Sequence, residues 1–270
     1  MRLLVLVFVF VFAATASAHH DNLLWNPQGY PTDDKRGPWF TTIDLEAVDW
    51  AIQRVEDHTR KGPTALRFEL RDGDCFTAKP HAPETGWDDC TRDRERTELR
   101  EKWYPQLHTP VYYAYSMFIP EDYEYMYPKQ IVTQWHGGPS PTMYFSLDRD
   151  QFEVDILTET SQTTHKYELG ALPKGVWLDF VVRVVWSNSD DGMVKIWVNN
   201  NLLLEHQGAT MDPQGYARGQ GPFTKFGIYR SHLSRWEYPE RDHPTQVLYF
   251  DEYRRGYNRD STTVENNTGD

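Results

Sequence analysis

Cysteine is nearly absent from this chain: two in 270 residues, Cys75 and Cys90. That excludes a disulfide-dense scaffold, and a zinc site would want four ligands at tighter spacing. Basic residues are also in deficit, with 28 Lys and Arg against 40 Asp and Glu and a formal net charge of −12. A protein of that sign repels polyanions at long range, so nucleic acid is not an expected partner and any acidic ligand needs local Arg and Lys. Long hydrophobic runs are missing beyond the N-terminus, which excludes a membrane-spanning helix there. The apolar run at 3–14, behind Arg2, is too short to span a bilayer and leads to the small residues Ala16-Ser17-Ala18. This is the pattern of a signal peptide, 1–18, and it implies secretion, extracellular or periplasmic. In that oxidising setting Cys75 and Cys90 are expected to pair, closing a Pro-, Gly- and Asp-rich loop worth about 3 kcal/mol in the chain-entropy model.

What is present is strand. Leu66, Phe68 and Leu70 alternate with Arg67, Glu69 and Arg71, and the same period of two recurs in 94–101, 111–118, 130–136, 151–157, 176–186, 193–198 and 246–253. Asp72-Gly73, Asp191-Gly192 and Asn199-Asn200 supply the turns between runs. Segment 43–56 fits both periods and is read as strand. There is no internal repeat and no composition break, so 19–260 reads as one domain, followed by a polar tail, 261–270, expected to be unpacked. The fold class is all-β: two packed antiparallel sheets or a closed barrel. In a sandwich of this size one sheet can curve into a groove. With 16 Tyr and 10 Trp, some rings could stack on sugar faces, although β-proteins are aromatic-rich in any case.

Three strands carry the chemistry. In Arg94–Glu101, Arg96, Glu98 and Arg100 share one face, where a glutamate could brace two arginines against a carboxylate ligand. In Gln130–Gly138, Val132, Gln134 and His136 share a face. Gln can hydrogen-bond a carboxyl group, and His titrates nearest neutrality. In Phe223–Arg230, Lys225 and Tyr229 share a face, and the bare Gly227 between them could leave room for a ligand. A tyrosine beside cations can have its pKa lowered and carry a proton. Each segment alone also fits an ordinary structural role.

Taken in order, Arg96-Thr97-Glu98-Leu99-Arg100, Gln134-Trp135-His136 and Phe223-Thr224-Lys225-Phe226-Gly227-Ile228-Tyr229 resemble the three signature strands of jelly-roll alginate lyases. A wider likeness, from Ala65–Leu70 through Gly73-Asp74-Cys75 and Asp93–Arg96 to Tyr249–Glu252, is similar to the heparin lyase I-like and glucuronan lyase group. The resemblance implies a β-jelly roll with a concave substrate groove. It also implies β-elimination on a 4-linked uronic-acid polysaccharide, with Gln134 and Arg96 or Arg100 binding the uronate carboxylate. His136 would neutralise that carboxylate or act as base, Tyr229 would carry the proton, and Lys225 would lie nearby. Trp135 and Phe226 depart from the family pattern, which takes smaller residues there.

For glucuronate or mannuronate the C5 proton and C4 oxygen lie on one face, so Tyr229 alone could serve. Guluronate would need His136 and Tyr229 to divide the work. The acidic total disfavours heparin, so glucuronan comes first, alginate second and heparin third. No cofactor is required, a structural calcium at the acidic loop 147–155 is conceivable, and the protein is expected to act as a monomer. Two rivals stand beside this reading. Glu153-Val154-Asp155-Ile156-Leu157-Thr158-Glu159 is similar to a retaining glucanase strand, but its end carboxylates would lie about 20 Å apart if extended, where a retaining pair needs about 5 Å. A non-catalytic sugar-binding domain would explain the rings but not the polar set. A free N-terminal His19, with His20, could also take part in chelating copper.

Overall fold

The computed structural model describes residues 39–41, 48–75, 88–101, 103–138, 140–159, 162 and 164–259. The expected signal peptide 1–18, His19, His20 and the expected tail 261–270 lie outside them. Alternating sequence makes a strand two-faced, and two such sheets bury their apolar faces against each other. Among the described residues there are fourteen strands: β1 (Trp39–Thr41), β2 (Ile52–Val55), β3 (Ala65–Leu70), β4 (Arg94–Glu101), β5 (Pro110–Phe118), β6 (Gln130–His136), β7 (Pro141–Asp148), β8 (Gln151–Ile156), β9 (His165–Ala171), β10 (Trp177–Val185), β11 (Met193–Val198), β12 (Asn201–Gln207), β13 (Phe223–Ser231) and β14 (Gln246–Gly256). One short helix, α1 (Pro213–Tyr216), is capped by the Asp212 carboxylate, which accepts from the Gln214 and Gly215 N–H groups. The strands form two seven-stranded antiparallel sheets, ordered β1-β4-β13-β6-β7-β8-β9 and β12-β11-β10-β5-β14-β3-β2. The expected two-sheet sandwich is thus present, and among the described residues 48–56 of the segment 43–56, Ile52–Val55 are strand.

Late strands insert between early ones: β13 lies between β4 and β6, and β14 between β5 and β3. That insertion brings the three chemistry-bearing segments side by side. The sheets are glued by rings. Phe226 packs on Phe68, Phe250 and Tyr253, and Trp135 on Tyr113, Phe145 and Trp186, with centroids 5.0–6.4 Å apart. The two departures from the family pattern therefore fill the core, where each buried ring contributes about 1.5–3 kcal/mol.

One expectation about β6 is corrected. Val132 does not share a face with Gln134 and His136. The ladder slips between Ile131 and Thr133, a bulge that leaves Val132 in the core and turns Ile131 outward against Tyr144 and Tyr229. Beyond the bulge, Thr133 donates to Tyr115 Oη at 2.9 Å inside the core, Trp135 is fully buried, and the pleat resumes.

Two connections join the sheets at their margins. Cys75, after β3, is bonded to Cys90, before β4, so the expected disulfide spans the passage from one sheet to the other. At the opposite margin the end strands β9 and β12 meet. Tyr167 Oη donates to His206 Nδ1 at 2.8 Å while His206 Nε2 donates to the Ala209 carbonyl at 3.0 Å.

Candidate active site

The register of β4, β13 and β6 fixes which side chains meet. Lys225 lies opposite Arg100 on one side and Gln134 on the other, Gly227 opposite Glu98, and Tyr229 opposite Arg96. Directly opposed residues in an antiparallel pair sit about 4.5–5.5 Å apart, so their side chains must interact.

Glu98 is the centre. Its carboxylate, 1% exposed, accepts from Lys225 Nζ at 2.7 Å, Arg96 Nη1 at 3.2 Å and Gln134 Nε2. Burial alone would raise its pKa, but Lys225 and Arg96 more than offset that and hold it below the ordinary range. Lys225 shows the converse: burial pushes its ammonium down to about 8 despite Glu98. The expectation that Glu98 braces both arginines holds for Arg96 only. Arg100 turns away, stacks 3.8 Å from the Phe223 ring centroid and donates to Tyr104 Oη at 2.9 Å.

Tyr229 lies beneath the Arg96 guanidinium, 4.2 Å from its ring centroid, and its hydroxyl accepts from Arg94 Nε at 2.6 Å. Its pKa is not lowered, as expected from the cations, but raised. Burial outweighs the pull of Arg96 and Arg94. The phenol is therefore protonated at neutral pH, with its oxygen engaged by Arg94. His136, stacked on Phe223 at 5.5 Å, is pushed down to about 3 by burial and then by Lys225, Arg96 and Arg100. It is a neutral imidazole at neutral pH, able to accept a proton but not to neutralise a carboxylate by charge.

Gly227 also has a different reason from the one expected. Its φ is +139°, and a Cβ there would meet the Thr97 carbonyl oxygen at 2.2 Å and Phe68 at 3.0 Å. The missing side chain lets β13 approach the β4 backbone and the core; it does not open space for a ligand.

Four participants were not singled out from sequence. Arg94 continues the Arg96 and Arg100 alternation, which is a signal for it. Asp89, fully buried, grips Arg96 through Nε and through Nη2 at 2.7 Å. Phe223 and Tyr104 pack Arg100. Phe223, two residues before Lys225 in β13, continues the Lys225 and Tyr229 alternation, whereas Tyr104 and Asp89 belong to no periodic pattern with the site.

The row runs on across the sheet: Gln134 lies opposite Tyr144, Tyr144 opposite Asp155, and Asp155 opposite Lys166. Glu153, on the same face, pairs with Lys166 at 2.7 Å, and Lys129 donates to Tyr144 Oη at 2.6 Å. One end of the face is thus basic and the other mixed.

A family model for polysaccharide lyases matches residues 31–254. The chain belongs to that family. No curated protein matches the lyase in sequence. Among solved structures it is similar to the endo-β-1,4-glucuronan lyase of the fungus Trichoderma reesei, with a TM-score of 0.57, 15% identity, and 78% of this chain and 88% of that one covered. It is also similar to alginate lyase A1-II', a family 7 member, with a TM-score of 0.54, 13% identity and coverages of 76% and 82%. A third is the alginate lyase of Corynebacterium sp., with a TM-score of 0.51, 14% identity and coverages of 77% and 81%. The shared architecture is the jelly roll.

In the acidic loop 147–155 two of the carboxylates have cationic neighbours. Glu153 is taken by Lys166, and Asp155 has Lys129 at 3.9 Å. Among the described residues the ligand-type group that gathers within 4.8 Å is Asp72, Glu95 and His243. There Arg230 already pairs with Glu95 at 2.5 Å and His243 with Asp72 at 2.6 Å. In the glucanase-like stretch, Glu153 lies in β8 while Glu159 falls beyond its end.

Proposed function

We propose that this secreted polysaccharide lyase cleaves a 4-linked uronan by β-elimination on the outward face of β4, β13 and β6, leaving an unsaturated uronate. The observation that carries the reading is the convergence of Arg96, Lys225 and Gln134 on one buried carboxylate, with Tyr229 under Arg96 and with Arg100 and His136 beside them. The C5 proton of a uronate is too weakly acidic to remove while the neighbouring carboxylate is negative. Gln134 and Arg100 would hydrogen-bond that carboxylate and stabilise the charge that develops, the term that usually dominates such catalysis. Glu98 keeps Lys225 and Gln134 fixed, so the donors are oriented before substrate arrives.

Tyr229 would be the proton carrier. Its resting phenol first loses a proton to solvent, and Arg94 and Arg96 stabilise the phenolate so formed. That oxygen then takes the C5 proton and returns it to the leaving C4 oxygen, which restores the phenolate, and no cofactor is needed. His136 and Tyr229 sit at opposite ends of the Glu98 cluster, His136 opposite Phe223 and Tyr229 opposite Arg96 and Ile131. That supports one group acting on one sugar face, the geometry of glucuronate or mannuronate. The carboxylates Asp155 and Glu153 further along the face oppose a densely sulfated chain. Glucuronan is therefore the favoured substrate, alginate the second and heparin the third, and the enzyme acts as a monomer. Incubation with each polymer, read as the ultraviolet absorbance of the unsaturated product, tests this ranking; turnover of heparin alone overturns it. Tyr229→Phe should lower turnover about 10²–10⁴-fold, the usual weight of a general acid–base group, with circular dichroism unchanged. Full activity in that folded variant removes Tyr229 from the mechanism.

A further inference from the structure

Arg96 is held twice by the same connection. Its backbone N–H donates to the Asp74 carbonyl at 3.1 Å, and its guanidinium is gripped by the Asp89 carboxylate along the Nε–Nη2 edge. Asp74 immediately precedes Cys75, and Asp89 immediately precedes Cys90, the two ends of the disulfide. Asp89 is itself anchored, because its carbonyl accepts from the Arg92 and Arg94 N–H groups at 2.9 and 3.2 Å. The Cys90 N–H donates to Asp88 Oδ1 at 3.1 Å, closing the turn.

We propose that Asp89 is a positioning residue for the reaction, locked by the Cys75–Cys90 bond, and that it acts by fixing the Arg96 guanidinium flat over the Tyr229 ring. The inference rests on the role given to Tyr229 above. A two-bond fork fixes the plane of a guanidinium; a single bond leaves it free to turn. With the Nε–Nη2 edge committed to Asp89, Nη1 reaches Glu98 and the flat face is left against Tyr229 at 4.2 Å. Arg96 thereby links the carboxylate-binding cluster to the proton carrier. Freeing Asp89 would let Arg96 leave the ring, and the phenolate would lose one of its two supporting cations. The disulfide, in this account, serves the site as well as the fold.

The test uses Asp89→Asn, Asp89→Glu and the double variant Cys75→Ala/Cys90→Ala, together with wild type whose disulfide has been opened by a phosphine reductant. The Tyr229 phenol is titrated by ultraviolet difference against Tyr229→Phe, without substrate. Asp89→Asn, the double variant and the reduced protein should all titrate at higher pH than wild type, with Asp89→Glu moving back towards it. On an active polymer kcat should fall about 10²-fold, as expected for a misplaced group, with KM changed far less. Were Asp89 only a nearby negative charge, its removal would lower the phenol's titration, so an unchanged or lowered midpoint overturns the proposal. If Asp89→Asn does not fold, the reduced wild type decides alone. Inactivity of wild type on every uronan would instead strike the lyase reading of the site, and the titration would still judge Asp89.

Discussion

Glu98→Gln is the sharpest perturbation of the site. The substitution keeps the shape of a side chain that is 1% exposed and removes the charge shared by Lys225, Arg96 and Gln134. The new amide nitrogen must also point at a donor. Breaking a buried ion pair by deleting one partner costs about 3–5 kcal/mol. In a domain of this size each kcal/mol shifts Tm by about 2–4 °C, so melting should fall by roughly 6–20 °C. The loss should depend on pH. Lys225 is depressed to about 8 in the folded protein from an ordinary 10.5, so in wild type the stability tied to it rises as pH climbs from about 8 towards the unfolded value. Without Glu98 the ammonium is depressed further and the rise begins at lower pH. The gap between variant and wild type should therefore be widest near about pH 5 and narrow towards about pH 8. Thermal melts followed by circular dichroism across that range measure both effects. A variant melting within about 2 °C of wild type at every pH would refute the central place given to Glu98.

Gly227→Ala should destabilise by more than about 2 kcal/mol, because a strained backbone of this kind adds to a clash with the Thr97 carbonyl; urea unfolding measures it, and a neutral result would mean that β13 can retreat from β4. His136, protonated only below about 3, should leave no acid limb in kcat/KM between about pH 5 and pH 7. A limb near 6.5 that vanishes in His136→Gln would show that the imidazole is far more solvated than its packing indicates. Arg94→Ala should raise the pH at which Tyr229 ionises, since the donor at 2.6 Å is lost; an unmoved titration would show that Arg94 does not support the phenolate.

The strands that alternate cleanly were legible from sequence, and β4, β6 and β11 fall at their expected bounds. Those that escaped lack alternation for physical reasons. In β7, Thr142 to Leu147 are all buried, so the period of two disappears. In β9 no residue is buried, and β12 exposes Leu202 and Leu203. The site was legible as residue types at a spacing, because a shared face follows from strand geometry alone. Its electrostatics were not. The depressed His136 and the raised Tyr229 depend on burial, which sequence does not specify, and the bulge at Val132 changed which residue of β6 faces outward. Asp89 was invisible because its partner is reached through a loop rather than along a strand.

The meeting of β9 with β12 has a consequence for behaviour in solution. An open sandwich presents unpaired backbone along its outermost strands, and such margins invite other chains to add on. Here the two outermost strands of one flank are stitched to each other through Tyr167 and His206, so a would-be partner must first pull them apart. Loosening that stitch, as in Tyr167→Phe, should first be felt as concentrated stocks turning cloudy, well before catalysis suffers.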